Sequence, residues 1–265
     1  MTQTPVVLCF SGHDPSGGAG IQADIETLHR LGCHAATVVT ALTLQDTRNV
    51  VAVLPQPADD FAAQARLIMA DLPIAAVKIG LLGSAALARA CAGLIRELPG
   101  VPVVLDPILA AGGGTEMAGE ELIEAICEDL LPLTTLLTPN SVEARRLTGF
   151  DLLDRCADNL LAKGCGNVLI TGTHENAERV VNRLYQIDQN SSWGWDRLPY
   201  SYHGSGCTLA SATAGFLALG QPLVEAVYRA QHFTWCALME GKAIGYGQHL
   251  PNRAVSLKTV LPAYR

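Results

Sequence analysis

Short runs of β-branched and aliphatic residues recur along the chain, separated by longer stretches in which apolar residues return every three or four positions. The short runs predict strands at Val6–Ser11, Ala35–Thr40, Val50–Leu54, Ala75–Ile79, Val101–Leu105, Thr134–Leu137 and Val168–Thr171. The longer spacing predicts helices near Ile21–Leu31, Ala58–Asp71, Ala85–Leu98, Gly119–Leu131, Val142–Thr148 and Leu152–Lys163. The strand runs lack strict alternation, as strands covered on both faces do. Strand and helix alternating this often predict an α/β fold, a central, mainly parallel β-sheet flanked by helices on both faces. After Thr173 the pattern changes. Val180–Ile187 and Trp193–Tyr202 predict an antiparallel ribbon around Asp188-Gln189-Asn190, and helices follow near Gly206–Leu219 and Leu223–Glu240. No repeat or linker divides the sequence, so a single domain over residues 1–265 is expected.

Composition narrows the function. Of the 265 residues, 49% are hydrophobic and 16% charged, too apolar a balance for disorder. The net charge is −7 and no Lys/Arg run occurs, which argues against nucleic acid as a partner. The first apolar run, Val6–Phe10, has no basic residue before it, so no secretory signal is read, and no run is long enough to span a membrane. The eight scattered cysteines read as free thiols in a reducing cytoplasm. CxxC and HExxH spacings are absent, which argues against structural zinc.

In an open α/β sheet the ligand sits beyond the carboxyl ends of the strands, so the residues just after each strand carry the chemistry. Ser11–Gly20 (SGHDPSGGAG) follows the first strand and precedes a helix, as a ligand loop containing Gly12, Asp14 and Ala19 or as a flexible turn. It matches neither the P-loop nor the dinucleotide fingerprint. Gln45 follows the second strand, with amide donors and an acceptor suited to a heterocycle edge or simply to the surface. Lys78 lies in an apolar stretch and reads as a snorkelling or paired core lysine. Asp106 ends the fifth strand, placed for a metal or for a helix cap. Asn140 and Glu143 have the spacing of a capping box, and a carboxylate there equally reaches Mg²⁺ beside a nucleotide.

His203–Ala212 (HGSGCTLASA) leads two glycines into a small-residue helix, so several N–H groups converge at the positive end of a helix dipole. Cys207 in the first turn is expected to have its pKa lowered toward neutrality, against the alternative of a buried structural thiol. A hydrolase elbow fails, because Ser205 and Leu209 stand where it needs glycines.

In this order the segments SGHDPSGGAGIQAD (Ser11–Asp24), TALTLQDT (Thr40–Thr47), KIGLL (Lys78–Leu82), VLDP (Val104–Pro107), TPNSVEA (Thr138–Ala144), ITGTH (Ile170–His174) and HGSGCTLASA resemble the hydroxymethylpyrimidine/phosphomethylpyrimidine kinases of thiamine biosynthesis, in the ribokinase-like superfamily. The resemblance implies ATP and Mg²⁺ as cofactors and phosphorylation of 4-amino-5-hydroxymethyl-2-methylpyrimidine and its monophosphate, by a cytoplasmic homodimer. It implies a substrate pocket of Gly12, Asp14, Ala19, Gln45, Leu81 and Ile108. Gly204, Ser205, Gly206 and Cys207 would form the anion hole, with Cys207 as the base. Asn140, Glu143, Thr171 and Asp106 would serve the nucleotide, Glu143 and Asp106 at the metal. Three positions depart from the pattern: Asp46 replaces an Asn, and Gly112 and Thr171 stand where many members carry Lys. A pyridoxal-type vitamin kinase of the same superfamily is the nearest alternative. A cysteine-dependent hydrolase and a non-catalytic pyrimidine sensor lie further off.

Overall fold

The apolar strand runs assemble into one sheet of nine strands in the order β3-β2-β1-β4-β5-β6-β7-β8-β9. The computed structural model describes residues 4–110 and 117–256. The strands are β1 (Val6–His13), β2 (His34–Gln45), β3 (Val50–Pro55), β4 (Ile74–Ile79), β5 (Val103–Leu105), β6 (Leu136–Leu137), β7 (Val168–Ile170), β8 (Arg179–Tyr185) and β9 (Asn190–Asp196). From β2 to β7 every pairing is parallel, whereas β3 at one edge and β8 and β9 at the other run antiparallel. The mainly parallel sheet is as the sequence pattern predicts.

Alternate residues of each strand feed two different cores, which explains why the runs are apolar throughout. Leu8, Phe10, Val77, Ile79, Val103 and Leu105 pack toward α2 (Ala58–Asp71), α3 (Ala85–Arg96), α4 (Glu120–Ala125), α5 (Ser141–Thr148) and α6 (Leu153–Ala162). Val7, Cys9, Ala76 and Val104 pack toward α1 (Gly20–Arg30) and α7 (Ser205–Ala218), and α8 (Leu223–Met239) closes the second core. All eight cysteines are free and buried.

Element ends differ from the expected ones for local reasons. β2 runs on to Gln45 because its last residues pair with β3, Gln45 opposite Val50. The helix expected over Gly119–Leu131 gives way at Ile126 to a wider π turn and then to a short 3₁₀ turn holding Pro132, whose ring cannot continue an α-helix. The ribbon is shorter than expected: β9 starts at Asn190, which already pairs with Tyr185, and ends at Asp196. No described helix is long and apolar enough to cross a membrane.

The direction in which strands are added to the sheet reverses at β1. The chain passes from β1 to β2 on one side and later returns to β4 on the other. A doubly wound sheet opens a crevice at such a switch point, beyond the carboxyl ends of β1 and β4.

Candidate active site

A cavity of about 470 Å³ occupies that crevice. Fourteen side chains or backbones singled out in the sequence line it together: Gly12, Asp14, Ala19, Gln45, Leu81, Asp106, Ile108, Asn140, Glu143, Thr171 and the stretch Gly204–Cys207. The Gly112 departure lies outside the described residues.

The loop after β1 is organised by Asp14. Its carboxylate accepts from the Ser16 amide and hydroxyl and from the Ala19 amide, all at 2.8 Å, and faces His203 Nε2 at 2.8 Å. Burial works to raise its pKa, but the hydrogen bonds from His203 and Ser16 outweigh it and hold the acid at about 2. Asp14 therefore spends its charge within the loop and on the residue before Gly204. At the far side of the crevice, Gln45 donates its side-chain amide to Thr43 Oγ1. Asp46, the departure beside it, caps its own turn by accepting from the Arg48 and Asn49 amides.

The start of α7 is built by glycine. Gly204 sits at φ +84°, and a Cβ there would lie 1.8 Å from the Gly18 carbonyl oxygen, so only glycine fits. The first helical bond runs from the Thr208 amide to Gly204 O at 3.0 Å. The amides of Ser205, Gly206 and Cys207 therefore have no acceptor within the helix and open onto the cavity.

Cys207 corrects the expectation of a lowered pKa. Burial pushes the thiol up to about 12, and the charges of Asp106 and Asp24 add to the rise, against the opposing pull of Lys78 and of the Gly20 amide. The dipole at the helix end acts on a thiol in an apolar enclosure, where the residue is 5% exposed, and the enclosure wins. Asp106 lies beside the thiol, which pulls the carboxyl's pKa down against the effect of burial. In the free protein Cys207 is therefore a thiol rather than a thiolate at neutral and mildly alkaline pH. Iodoacetamide at pH 8 is expected to leave the Cys207 peptide unlabelled under conditions that fully alkylate free cysteine. Rapid labelling, followed by peptide mass, overturns this ionisation state.

Beneath the thiol lies a buried ion pair. Lys78 Nζ stands 2.8 Å from Asp24 Oδ1 and donates to Ser11 Oγ at 2.9 Å, and Ser211 donates to the same Asp24 oxygen. Burial opposes the lysine's charge, but Asp24 outweighs it and holds the ammonium above its ordinary pKa. Lys78 is a paired core lysine, joining β1, β4, α1 and α7 under the site.

Asn140 and Glu143 form a complete capping box. Asn140 Oδ1 accepts from the Val142 and Glu143 amides, and Glu143 Oε2 accepts from the Asn140 amide, all at 2.9 Å. Capping does not exhaust Glu143. Burial and the neighbouring charge of Asp106 raise it to about 8, and burial raises Asp106 to about 6. Asp106 Oδ2 is buried without a hydrogen-bond partner. Two crowded carboxyls with an orphaned oxygen fit a hard divalent cation, which would relieve the repulsion that protons now relieve. Among the described residues no three His, Cys, Asp or Glu side chains gather as a metal cage, so phosphate and water would complete the shell.

Sequence reasoning missed three groups. Trp195 and Trp235 wall the cavity beyond the helix start, with ring centres 6.4 Å apart. Arg197, also on the wall, gives its guanidinium to the carbonyls of Thr173, Glu175 and Ala177 and so shapes the loop after Thr171. Arg253 touches both glycine loops from outside the cavity. No spacing in the sequence marks these residues. The tryptophans fall within the predicted ribbon and last helix, but nothing there points them at a ligand.

A helix start that shares its cavity with two acidic side chains, Asp106 and Glu143, suits a phosphate better than an acyl oxygen. The class defined is that of small-molecule kinases. A family model for phosphomethylpyrimidine kinase matches residues 14–252. The chain belongs to that family. It is 34% identical over 252 residues to the hydroxymethylpyrimidine/phosphomethylpyrimidine kinase of Rhizobium meliloti, covering 92% of this chain and 94% of that one. It is 37% identical over 260 residues to a thiamine biosynthesis bifunctional protein of Geobacter sulfurreducens, covering 96% of this chain but 53% of the relative, so it spans about half of that longer protein. Among solved structures it resembles an ADP complex of Bacillus subtilis pyridoxal kinase, with TM-score 0.88 and 31% identity over 95% of this chain and 98% of the other.

Proposed function

We propose that the chain transfers the γ-phosphoryl group of ATP to the hydroxymethyl oxygen of 4-amino-5-hydroxymethyl-2-methylpyrimidine, and then phosphorylates the resulting monophosphate. The observation that carries this reading is the continuity of one cavity. Gln45, Leu81 and Ile108 line one part, the amides of Ser205–Cys207 open into it, and Asp106, Asn140 and Glu143 stand alongside.

In this reading the pyrimidine lies against Ala19, Leu81 and Ile108, with its polar edge toward Gln45. ATP lies toward Trp195 and Trp235, its phosphates passing Asn140 and Thr171. Glu143 and Asp106 would hold Mg²⁺, which supplies neutralisation of the phosphate charge when bound. The transferred group faces the amides of Ser205, Gly206 and Cys207, and each well-placed donor is worth roughly 3–4 kcal/mol in the transition state. Phosphoryl transfer asks for positioning and electrostatics rather than covalent chemistry. The departures at Gly112 and Thr171 remove two family lysines, and backbone donors carry that load here. The exposed apolar face of the β2–β3 hairpin, with Leu42, Leu44 and Leu54, offers a second copy a surface to pair with.

The direct test is ADP release with hydroxymethylpyrimidine and then with its monophosphate. Release with neither substrate overturns the reading. The pyridoxal-kinase alternative predicts that pyridoxal competes at or below the concentration of hydroxymethylpyrimidine. Gln45→Leu is expected to raise the KM for the pyrimidine roughly 5–100-fold, the cost of about 1–3 kcal/mol for unpaired polar groups, while leaving the KM for ATP nearly unchanged. An equal rise for both substrates would place Gln45 elsewhere.

A further inference from the structure

A buried guanidinium behind the cavity joins the two glycine loops. Arg253 lies in the segment that follows α8 and is 3% exposed. Its Nη2 donates to the Gly18 carbonyl, its Nε donates to Thr208 Oγ1 at 2.9 Å, and its Nη1 pairs with Glu26 Oε2 at 3.0 Å. Thr208 Oγ1 in turn donates to Gly204 O at 2.8 Å. The Gly18 carbonyl is also the atom against which Gly204 packs. One side chain thus fixes the loop after β1, the first turn of α7 and, through both, the residue that starts the anion hole.

Anchoring the C-terminal segment does not require these contacts. The Asn252 amide already bonds to Ala237 O at 2.9 Å, Arg30 Nε donates to Val255 O at 2.6 Å, and Val255 is buried in the second core. What Arg253 adds is order in a glycine-rich backbone, which loses more conformational freedom on fixing than any other. The planar guanidinium holds its donors in a rigid fork, so three partners are set relative to one another.

We propose that Arg253 is a positioning residue for phosphoryl transfer, acting through Gly18 and Thr208 to hold the anion-hole amides in register with the first loop. The inference rests on the kinase reading given above. Misplacing the amides harms the transition state, where charge is spread on the moving phosphoryl group, more than the ground state.

In Arg253→Ala, kcat is expected to fall roughly 10–100-fold, with the KM for ATP and for hydroxymethylpyrimidine changed less than about threefold. Added guanidinium ion restores part of kcat, and Arg253→Lys, whose point charge cannot serve three partners, restores little. An independent readout needs no turnover. Amide hydrogen exchange at residues 208–211, the first bonded amides of α7, should quicken at least about tenfold in Arg253→Ala while that of β1 and β4 stays the same. If Arg253→Ala does not fold, Thr208→Val cuts the same link from the other end and is expected to give the same kcat–KM split and the same local exchange. Unchanged exchange at 208–211 in a folded variant, or a loss in which KM rises as much as kcat falls, overturns the proposal. A native chain that releases no ADP overturns the kinase reading instead, and the exchange experiment still decides the role of Arg253.

Discussion

Cys207→Ala is expected to slow the first phosphorylation by ~10²–10⁴-fold, the usual worth of general-base help, and to leave the second within a few-fold of native. The two nucleophiles differ in one proton. A hydroxymethyl group must lose its proton as the new P–O bond forms, whereas a phosphate monoester, with a second pKa of about 6, is already largely dianionic at neutral pH. The structure refines when the base exists. A thiol at about 12 in the free protein is not a standing thiolate. Of the charges around it, Lys78 favours ionisation, while Asp106 and Asp24 oppose it. A neutral thiol cannot take up a proton, so acting as base requires Cys207 first to release its own proton to solvent. A loose transition state places the hydroxyl proton transfer late, after the phosphoryl group has largely left ADP, so the thiolate is needed only then. Single-turnover rates with each purified substrate decide the matter. Equal losses in both steps, or none in the first, remove Cys207 from the role of base.

Gly204→Ala is expected to abolish at least ~10³-fold of kcat/KM, because it displaces more than one amide of a hole in which each donor is worth about 10²–10³. Its methyl group would meet the Gly18 carbonyl oxygen at 1.8 Å in a backbone at φ +84°. The left-handed conformation alone costs about 1–2 kcal/mol for a non-glycine residue. Gly32 provides the control: at φ +81° it has nothing within 4 Å of the added carbon. Gly32→Ala should therefore lose some thermal stability and keep its activity, whereas Gly204→Ala loses activity per folded molecule. A Gly204→Ala variant that keeps more than about a tenth of native kcat/KM would separate the helix start from catalysis.

Much of this architecture is legible in the sequence because strands covered on both faces cannot hide. Val6–Phe10 and Val103–Leu105 are apolar at consecutive positions, and consecutive side chains enter different cores. Strand ends then point to the ligand, which is how Gln45, Asp106 and Asn140 were singled out before any geometry. What stays illegible depends on distance in space. The end of β2 is set by a partner strand, and the ionisation of Cys207 is set by enclosure rather than by its place in a helix. Asn140 and Glu143 show both situations at once. Their spacing announces a capping box, which forms, while the buried neighbour that joins burial in raising the pKa of Glu143, Asp106, lies 37 positions away in the chain. Arg253 is the extreme case, a lone arginine in Pro-Asn-Arg with no local signature.

The three contacts of Arg253 also fix an order of events in the making of each molecule. A nascent chain emerges from its N-terminus, so the loop after β1 is synthesised well before the arginine that clamps it. Most of the cavity wall can stand once α8 has packed onto the sheet, yet the contacts that steady its two glycine loops await residue 253. The clamp thus closes only after every strand of the sheet has been made, and a chain clipped just before Pro-Asn-Arg would keep the sheet and lose the clamp.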